Sequence, residues 1–146
     1  MLEQFPLLKR VNQNMISGLS LACSPIAYLL ISESAILASI IALLIVMLLD
    51  LLDGIIARAK GQVPSKDGWI VDVSVDRVSE AVISLALSRI FILLTILNMG
   101  LALLSYHYRK HAIIPLRQAI LVMLIAYFLL ESQTTFSFLD QILFNW

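Results

Sequence analysis

The chain has 146 residues, 60% of them hydrophobic and 14% charged, with a formal net charge of zero. A soluble domain carries about 25% charged residues, so this composition excludes an ordinary soluble domain, and the balanced charge points to neither nucleic acid nor acidic partners. The single cysteine, Cys23, excludes an intrachain disulfide and a cysteine-based zinc site, and its apolar surroundings suit packing. The apolar residues come in long runs, whereas the strands of a membrane barrel would alternate apolar and polar over about ten positions.

In chain order, MLEQFPLLKRVNQN has no apolar core ahead of Lys9 and Arg10 and no small-residue cleavage site, so no signal peptide is expected. The first apolar run, Met15–Ile31, stops at the polar Ser32–Ser34. The second runs uncharged from Ala35 to Leu49 and continues as DLLDGIIARAK. Gly61–Asp67 is a polar loop containing Pro64. A third stretch starts at Gly68, carries Asp72, Asp76, Arg77 and Glu80, and is apolar over Ala81–Leu87. Ser88–Arg89 predicts a turn, followed by apolar Ile90–Ser105, the connector YHYRKHAIIPLR and apolar Gln118–Leu130. The tail segment Phe136–Trp146 spans roughly 16 Å as a helix, about half a bilayer core. The reading is one all-α domain over residues 1–146. It is a polytopic transmembrane helix bundle of five spans with a C-terminal segment that is interfacial or partly inserted.

Basic residues orient this bundle. With five spans and a cytoplasmic N-terminus, the inner segments hold Lys9, Arg10, Arg58, Lys60, Lys66, Arg77, Arg109, Lys110 and Arg117. Those are nine of the ten Lys and Arg, with Arg89 alone outside. A multi-pass protein of the cell membrane is expected. Merging Gly68–Tyr106 into one helix would give about 58 Å, too long for one crossing. A turn at Asn98–Gly100 would leave too few residues to cross back.

The chemistry concentrates at the end of the second helix and the start of the third, in the pattern DxxDGxxAR, nine residues, GxxxDxxxD: Asp50, Asp53, Gly54, Ala57, Arg58, Gly68, Asp72 and Asp76. Asp50 and Asp53 share one helix face, as do Asp72 and Asp76. A loop of roughly ten residues makes the two helices expected antiparallel neighbours whose carboxylates meet near the cytoplasmic surface. Acids in apolar helices cost several kcal/mol and mark function. Four together repel unless cations hold them, and hard oxygen ligands suit Mg²⁺ or Mn²⁺, two ions being the arrangement that serves phosphoryl transfer. Gly54, one helical turn before Arg58, leaves bare backbone where a diphosphate could approach.

This pattern resembles the signature of the CDP-alcohol phosphotransferases. All eight fixed positions are present, over Asp50–Asp76. Two departures are visible: nine residues rather than the family's usual eight separate Arg58 from Gly68, the extra one near Pro64, and the family has six spans where five are read here. Asn14-Met-Ile-Ser17 echoes the family's entry to its first helix without the proline. The resemblance implies that Asp50, Asp53 and Asp72 hold two metals against the diphosphate of a CDP-linked lipid. Asp76 would be the general base for the acceptor hydroxyl and would touch a metal. Gly54, Ala57, Ser65 and Gly68 would give the nucleotide room, and Arg58 would pair with phosphate. The products would be a phospholipid and CMP, with a small alcohol or alcohol phosphate as acceptor, and the enzyme would be a homodimer.

Tyr106, His107, Tyr108 and His111 read as an interfacial belt beside Arg109 and Lys110. Arg109, Lys110 and Arg117 are the candidate acceptor cations, Arg117 the best placed because it opens the fifth helix. Arg77 and Glu80 suit a helix pair at i, i+3, and Gly18, Ser20 and Ser24 form a small-residue stripe for close packing. An intramembrane prenyltransferase also uses two aspartate clusters but lacks DGxxAR. A cation carrier would need acids deeper in the bilayer, and an inactive homologue would rest on the missing span alone.

Overall fold

Long runs of Leu, Ile, Val and Ala, punctuated by short polar breaks, build helices. In the computed structural model the described residues are 13–59, 66–108, 114–130 and 142–144, without the side chains of 13, 14, 59, 66–72 and 106–108. They form α1 (Gln13–Ser32), α2 (Ile36–Ala59), α3 (Lys66–Ser84), α4 (Arg89–Tyr108) and α5 (Leu116–Leu130), with a helical turn at 142–144. No strand occurs among the described residues.

The breaks fall where the sequence puts them. α1 closes with Glu33 N–H donating to Leu29 O and Ala35 N–H to Leu30 O, both at 2.9 Å, which satisfies carbonyls a helix end leaves open. Ser34 takes φ 56° to turn the chain, a left-handed conformation uncommon outside glycine. α3 ends at Ser84 and α4 starts at Arg89, so the turn lies by Ser88–Arg89, and Asn98–Gly100 lies inside α4.

α1 packs against both α2 and α3, α2 against α5, and α3 against α4. The expectation that α2 and α3 are direct neighbours needs correction: among the described residues they are not a principal packing pair, and α1 lies along both. A short connection ties two helix ends together but leaves their lengths free to take other partners.

Polarity runs inside out. Leu19, Leu29, Leu44, Leu48, Leu93, Ile96 and Leu103 are exposed, while Ser20, Ser24, Ser79, Glu80, Ser84, Thr95, Asn98 and Arg117 are buried. Lipid is as apolar as leucine, so a bundle immersed in it gains by turning hydroxyls and charges inward. By length and composition α1 (over Met15–Ser32) and α2 (over Ile36–Arg58) can each cross a membrane; the apolar stretches Arg89–Ser105 and Leu116–Leu130 are shorter.

The apolar core occupies mainly one half, where Ala27, Ile31, Ile36, Ile40, Leu43, Ile83, Leu87, Phe91, Ile120 and Leu124 meet. The turn at 142–144 docks there. Ser88 N–H donates to Leu143 O at 2.7 Å and Ser88 Oγ to Ile142 O at 2.5 Å. Leu143 is fully buried, and Phe144 meets Tyr127 edge-on at 5.7 Å. The rest of Phe136–Trp146 lies outside the described residues.

Candidate active site

Four helices build the site at the other end: α1, α2, α3 and α5. Asp50 and Asp53 share a face of α2 because they are three residues apart, and α1 brings hydroxyls to that face. Ser20 Oγ donates to Asp50 Oδ1 at 2.5 Å and Ser17 Oγ to Asp53 Oδ2 at 2.7 Å. Further along α1, Ser24 and Ser79 share a hydrogen bond at 2.6 Å, and Ser24 Oγ also donates to Ser20 O at 3.2 Å. α1 is thereby fixed against α3 as well as α2. The small-residue stripe both lets the helices approach and supplies donors to the carboxylates.

Arg117 completes the arrangement. It opens α5, as the sequence suggested, and its side chain is 9% exposed. One guanidinium nitrogen pairs with Asp50 Oδ2 and the other with Asp76 Oδ1 at 2.9 Å. Carboxylates from α2 and α3 therefore converge on one cation at one level of the bundle, as the spacing predicts. The donor set is hard oxygen, the set that Mg²⁺ and Mn²⁺ prefer. Among the described residues no three His, Cys, Asp or Glu side chains are gathered closely enough to hold a metal. Asp72 shares the register of Asp76 on α3, but its side chain lies outside the described residues, as does that of Gly68's neighbourhood.

Next to Asp53, Gly54 has open space: a Cβ there would meet only Arg58 NH2, at 3.6 Å, an ordinary contact. Arg58 is exposed and folds back over this patch, its Nε donating to Gly54 O at 3.1 Å. Ala57 is half-buried beside it. Ser65, Arg109 and Lys110 lie outside the described residues.

Directly after Asp76 on α3, Arg77 and Glu80 form the i, i+3 ion pair that their spacing suggests. Asn98 Nδ2 donates to Glu80 Oε1 at 2.8 Å and to Ile114 O at 2.9 Å, and Asn98 Oδ1 accepts from Ile114 N–H at 2.9 Å. This side chain holds the entry to α5 against α3 and α4. A cavity of about 230 Å³ lies between Asp76, Arg77, Glu80, Arg117 and the residues around Pro115.

Sequence reasoning did not assign Ser17, Ser20 or Asn98 to the site. The serines carried a signal in their spacing of three, which puts them on one face of α1. Asn98 carried none, since next to Gly100 it looks like turn chemistry.

Among known proteins, the family model for CDP-alcohol phosphatidyltransferase matches residues 11–146. No curated protein and no solved structure matches the chain. The family match reaches every helix of the bundle and runs far beyond the segment Asp50–Asp76, and on that breadth the chain belongs to the CDP-alcohol phosphatidyltransferase family, transferases of phospholipid synthesis in membranes.

Proposed function

We propose that the protein transfers a lipid phosphate from a CDP-linked lipid to the hydroxyl of a small alcohol, with release of CMP. The observation that carries this reading is the convergence of Asp50 and Asp76, from two helices, on one cation beside a small cavity. Asp50, Asp53 and Asp72 would hold two Mg²⁺ or Mn²⁺ ions, with Asp76 in reach of one, and the ions would neutralise charge on the diphosphate. Gly54 leaves the backbone bare for close approach, and Arg58 pairs with phosphate oxygens there. Asp76 takes the proton of the acceptor hydroxyl as its oxygen attacks the lipid-side phosphorus in line. The bond from that phosphorus to the bridging oxygen breaks, CMP leaves with the bonding pair, and the lipid keeps one phosphate, now esterified to the alcohol. Ser17 and Ser20 orient the α2 carboxylates from behind.

Two experiments test the reading. Purified protein given a CDP-lipid and a panel of alcohols should release CMP, lose that activity fully in EDTA and regain it with Mg²⁺ or Mn²⁺. Full activity in chelator would remove the metals from the scheme. In the proposed orientation the site end faces the cytoplasm, as the basic residues suggest. In a Cys23→Ser background, cysteines at Lys60 and Lys110 should label from the cytoplasmic side and one at Ser132 from outside. Labelling of the Ser132 position from inside would overturn five spans.

A cation carrier fits less well. Asp50, Asp53 and Asp76 cluster at one end with Glu80 one turn deeper, and the core at the other end is apolar, so among the described residues no chain of acids continues across it.

A further inference from the structure

Arg117 can bridge Asp50 and Asp76 only if the start of α5 is held at one depth and one rotation. α5 packs chiefly on α2, and among the described residues neither α3 nor α4 is a principal partner. A polar hold on its entry therefore matters, and α4 supplies it through Asn98. This side chain is fully buried. Its amide gives one N–H to Glu80 Oε1 at 2.8 Å and the other to Ile114 O at 2.9 Å, while Oδ1 accepts from Ile114 N–H at 2.9 Å. Paired bonds to both backbone groups of one residue fix its position and its rotation, as they do across a hydrogen-bonded pair of strands.

Only an amide fits this place. Glu80 Oε1 and Ile114 O need donors and Ile114 N–H needs an acceptor, so one placement of nitrogen and oxygen serves all three. Aspartate would turn oxygens toward a carboxylate and a carbonyl, and leucine would leave buried groups unpaired. What is fixed at Ile114 is carried to Arg117, three residues on. Pro115 has its φ locked by its ring. Leu116 N–H donates back to Ile114 O at 2.9 Å, and Ala119 N–H to Pro115 O at 3.1 Å. The segment between anchor and guanidinium thus has little freedom to bend. Arginine has many rotamers, and a fixed origin narrows the places its head can reach. Here the head meets both carboxylates. Thr95, one turn earlier on α4, has no such reach. It donates to Ser84 Oγ of α3 at 2.7 Å and to Phe91 O of its own helix at 2.9 Å.

We infer that Asn98 is a positioning residue for the site: by holding the entry to α5 it keeps Arg117 on Asp50 and Asp76, and so keeps the two carboxylates at one point. Its effect on turnover rests on the transferase reading, whereas its hold on α5 is a matter of geometry alone.

The test uses the full chain in lipid nanodiscs with Mg²⁺ and compares Asn98→Leu with Thr95→Val. Both remove buried hydrogen bonds of α4, but only the first touches α5. Nitroxides at the exposed Leu51 of α2 and Ala119 of α5, in a Cys23→Ser background, report the spacing of those helices by electron paramagnetic resonance. The otherwise unaltered protein and Thr95→Val should give one narrow distance, and Asn98→Leu a broad or displaced one. In Asn98→Leu the kcat for CMP release from CDP-lipid should fall roughly 10–100-fold, the scale of loss when reacting groups are misplaced from afar. Thr95→Val should keep kcat within about twofold below its melting point. In an Arg117→Lys background the effect of Asn98→Leu should largely vanish, because residues acting through one contact are not additive. A narrow, unshifted distance in Asn98→Leu overturns the inference. So does an equal fall in kcat in Thr95→Val, or an undiminished effect of Asn98→Leu in the Arg117→Lys background. A broadened distance in Asn98→Leu, in a protein that releases no CMP with any alcohol, keeps Asn98 as the anchor of α5 and overturns the reaction. Should Asn98→Leu fail to fold, Asn98→Asp takes its place, since it keeps the bond from Ile114 N–H and loses the two that the amide donates. Should Arg117→Lys show no turnover, the distances and the contrast with Thr95→Val decide.

Discussion

Around Leu143 the helices meet through Ile31, Ile36, Leu87, Phe91 and Leu124, with one hydrogen-bonded turn at Ser88. Around Asp50 they meet through Ser17, Ser20, Asp53, Asp76 and Arg117, joined by oriented hydrogen bonds and ion pairs. Dispersion forces in the first half are weak singly and tolerant of small shifts in position. Contacts in the second are directional, and each leaves a costly orphan if one member is lost. The comparison teaches a division of labour: the apolar half fixes how the helices lie together, and the polar half uses that fixity to hold like charges at one point.

Substitutions that separate reaction from fold sharpen this contrast most. Asp76→Asn keeps the shape and an oxygen ligand but cannot take a proton, so turnover should fall roughly 10²–10⁴-fold while CDP-lipid still binds with metal. Asp50→Asn should instead weaken nucleotide binding itself, with Asp53→Asn behaving alike. Measured turnover and nucleotide affinity decide: normal turnover in Asp76→Asn, or a loss of binding as complete as in Asp50→Asn, would make Asp76 a ligand before a base.

In the apolar half the effect should fall on stability. Leu124 is fully buried in the core cluster, and Leu124→Ala should destabilise the folded bundle by on the order of 2 kcal/mol through lost packing. KM for CDP-lipid should stay near that of the unaltered protein below the melting point. A thermal melt and a KM measured together test this, and an altered KM at full stability would mean the two halves are coupled more tightly than their contacts suggest.

Gly54→Ala makes the smallest structural change and asks the sharpest question. The added methyl meets only Arg58 NH2 at 3.6 Å, and alanine in place of glycine within a helix favours it by about 1 kcal/mol. Stability should hold or rise while CDP-lipid binding falls. A thermal melt that drops, or binding that is unchanged, would remove Gly54 from the diphosphate approach.

Much of this division was legible in the chain itself. The motif fixed which faces of α2 and α3 carry carboxylates, because helical spacing of three and four leaves one geometry. The turn by Ser88–Arg89 followed from span length. Partnership was not legible. The loop between α2 and α3 said which ends are near but not that α1 would lie along both. Serines in a small-residue stripe serve packing and hydrogen bonding alike, and only the opposing helix decides between them. The Glu80–Asn98 bond joins residues 18 apart on different helices, a separation for which no periodicity speaks.

The bridge from Arg117 to Asp50 also bears on how the protein enters its membrane. The two residues are 67 apart in the chain, so at roughly 5–20 residues per second of synthesis Asp50 precedes its counter-cation by roughly 3–13 s. Through that interval α2 must settle in the bilayer with an acid it cannot yet pair. Asp50 is nine residues from the end of α2 at Ala59, about 14 Å along the axis, within reach of interfacial water until α5 arrives. The placement of Asp50 toward the end of α2 thus lets the nascent helix wait, and an acid moved two turns toward Ile36 would have to be inserted without either water or arginine.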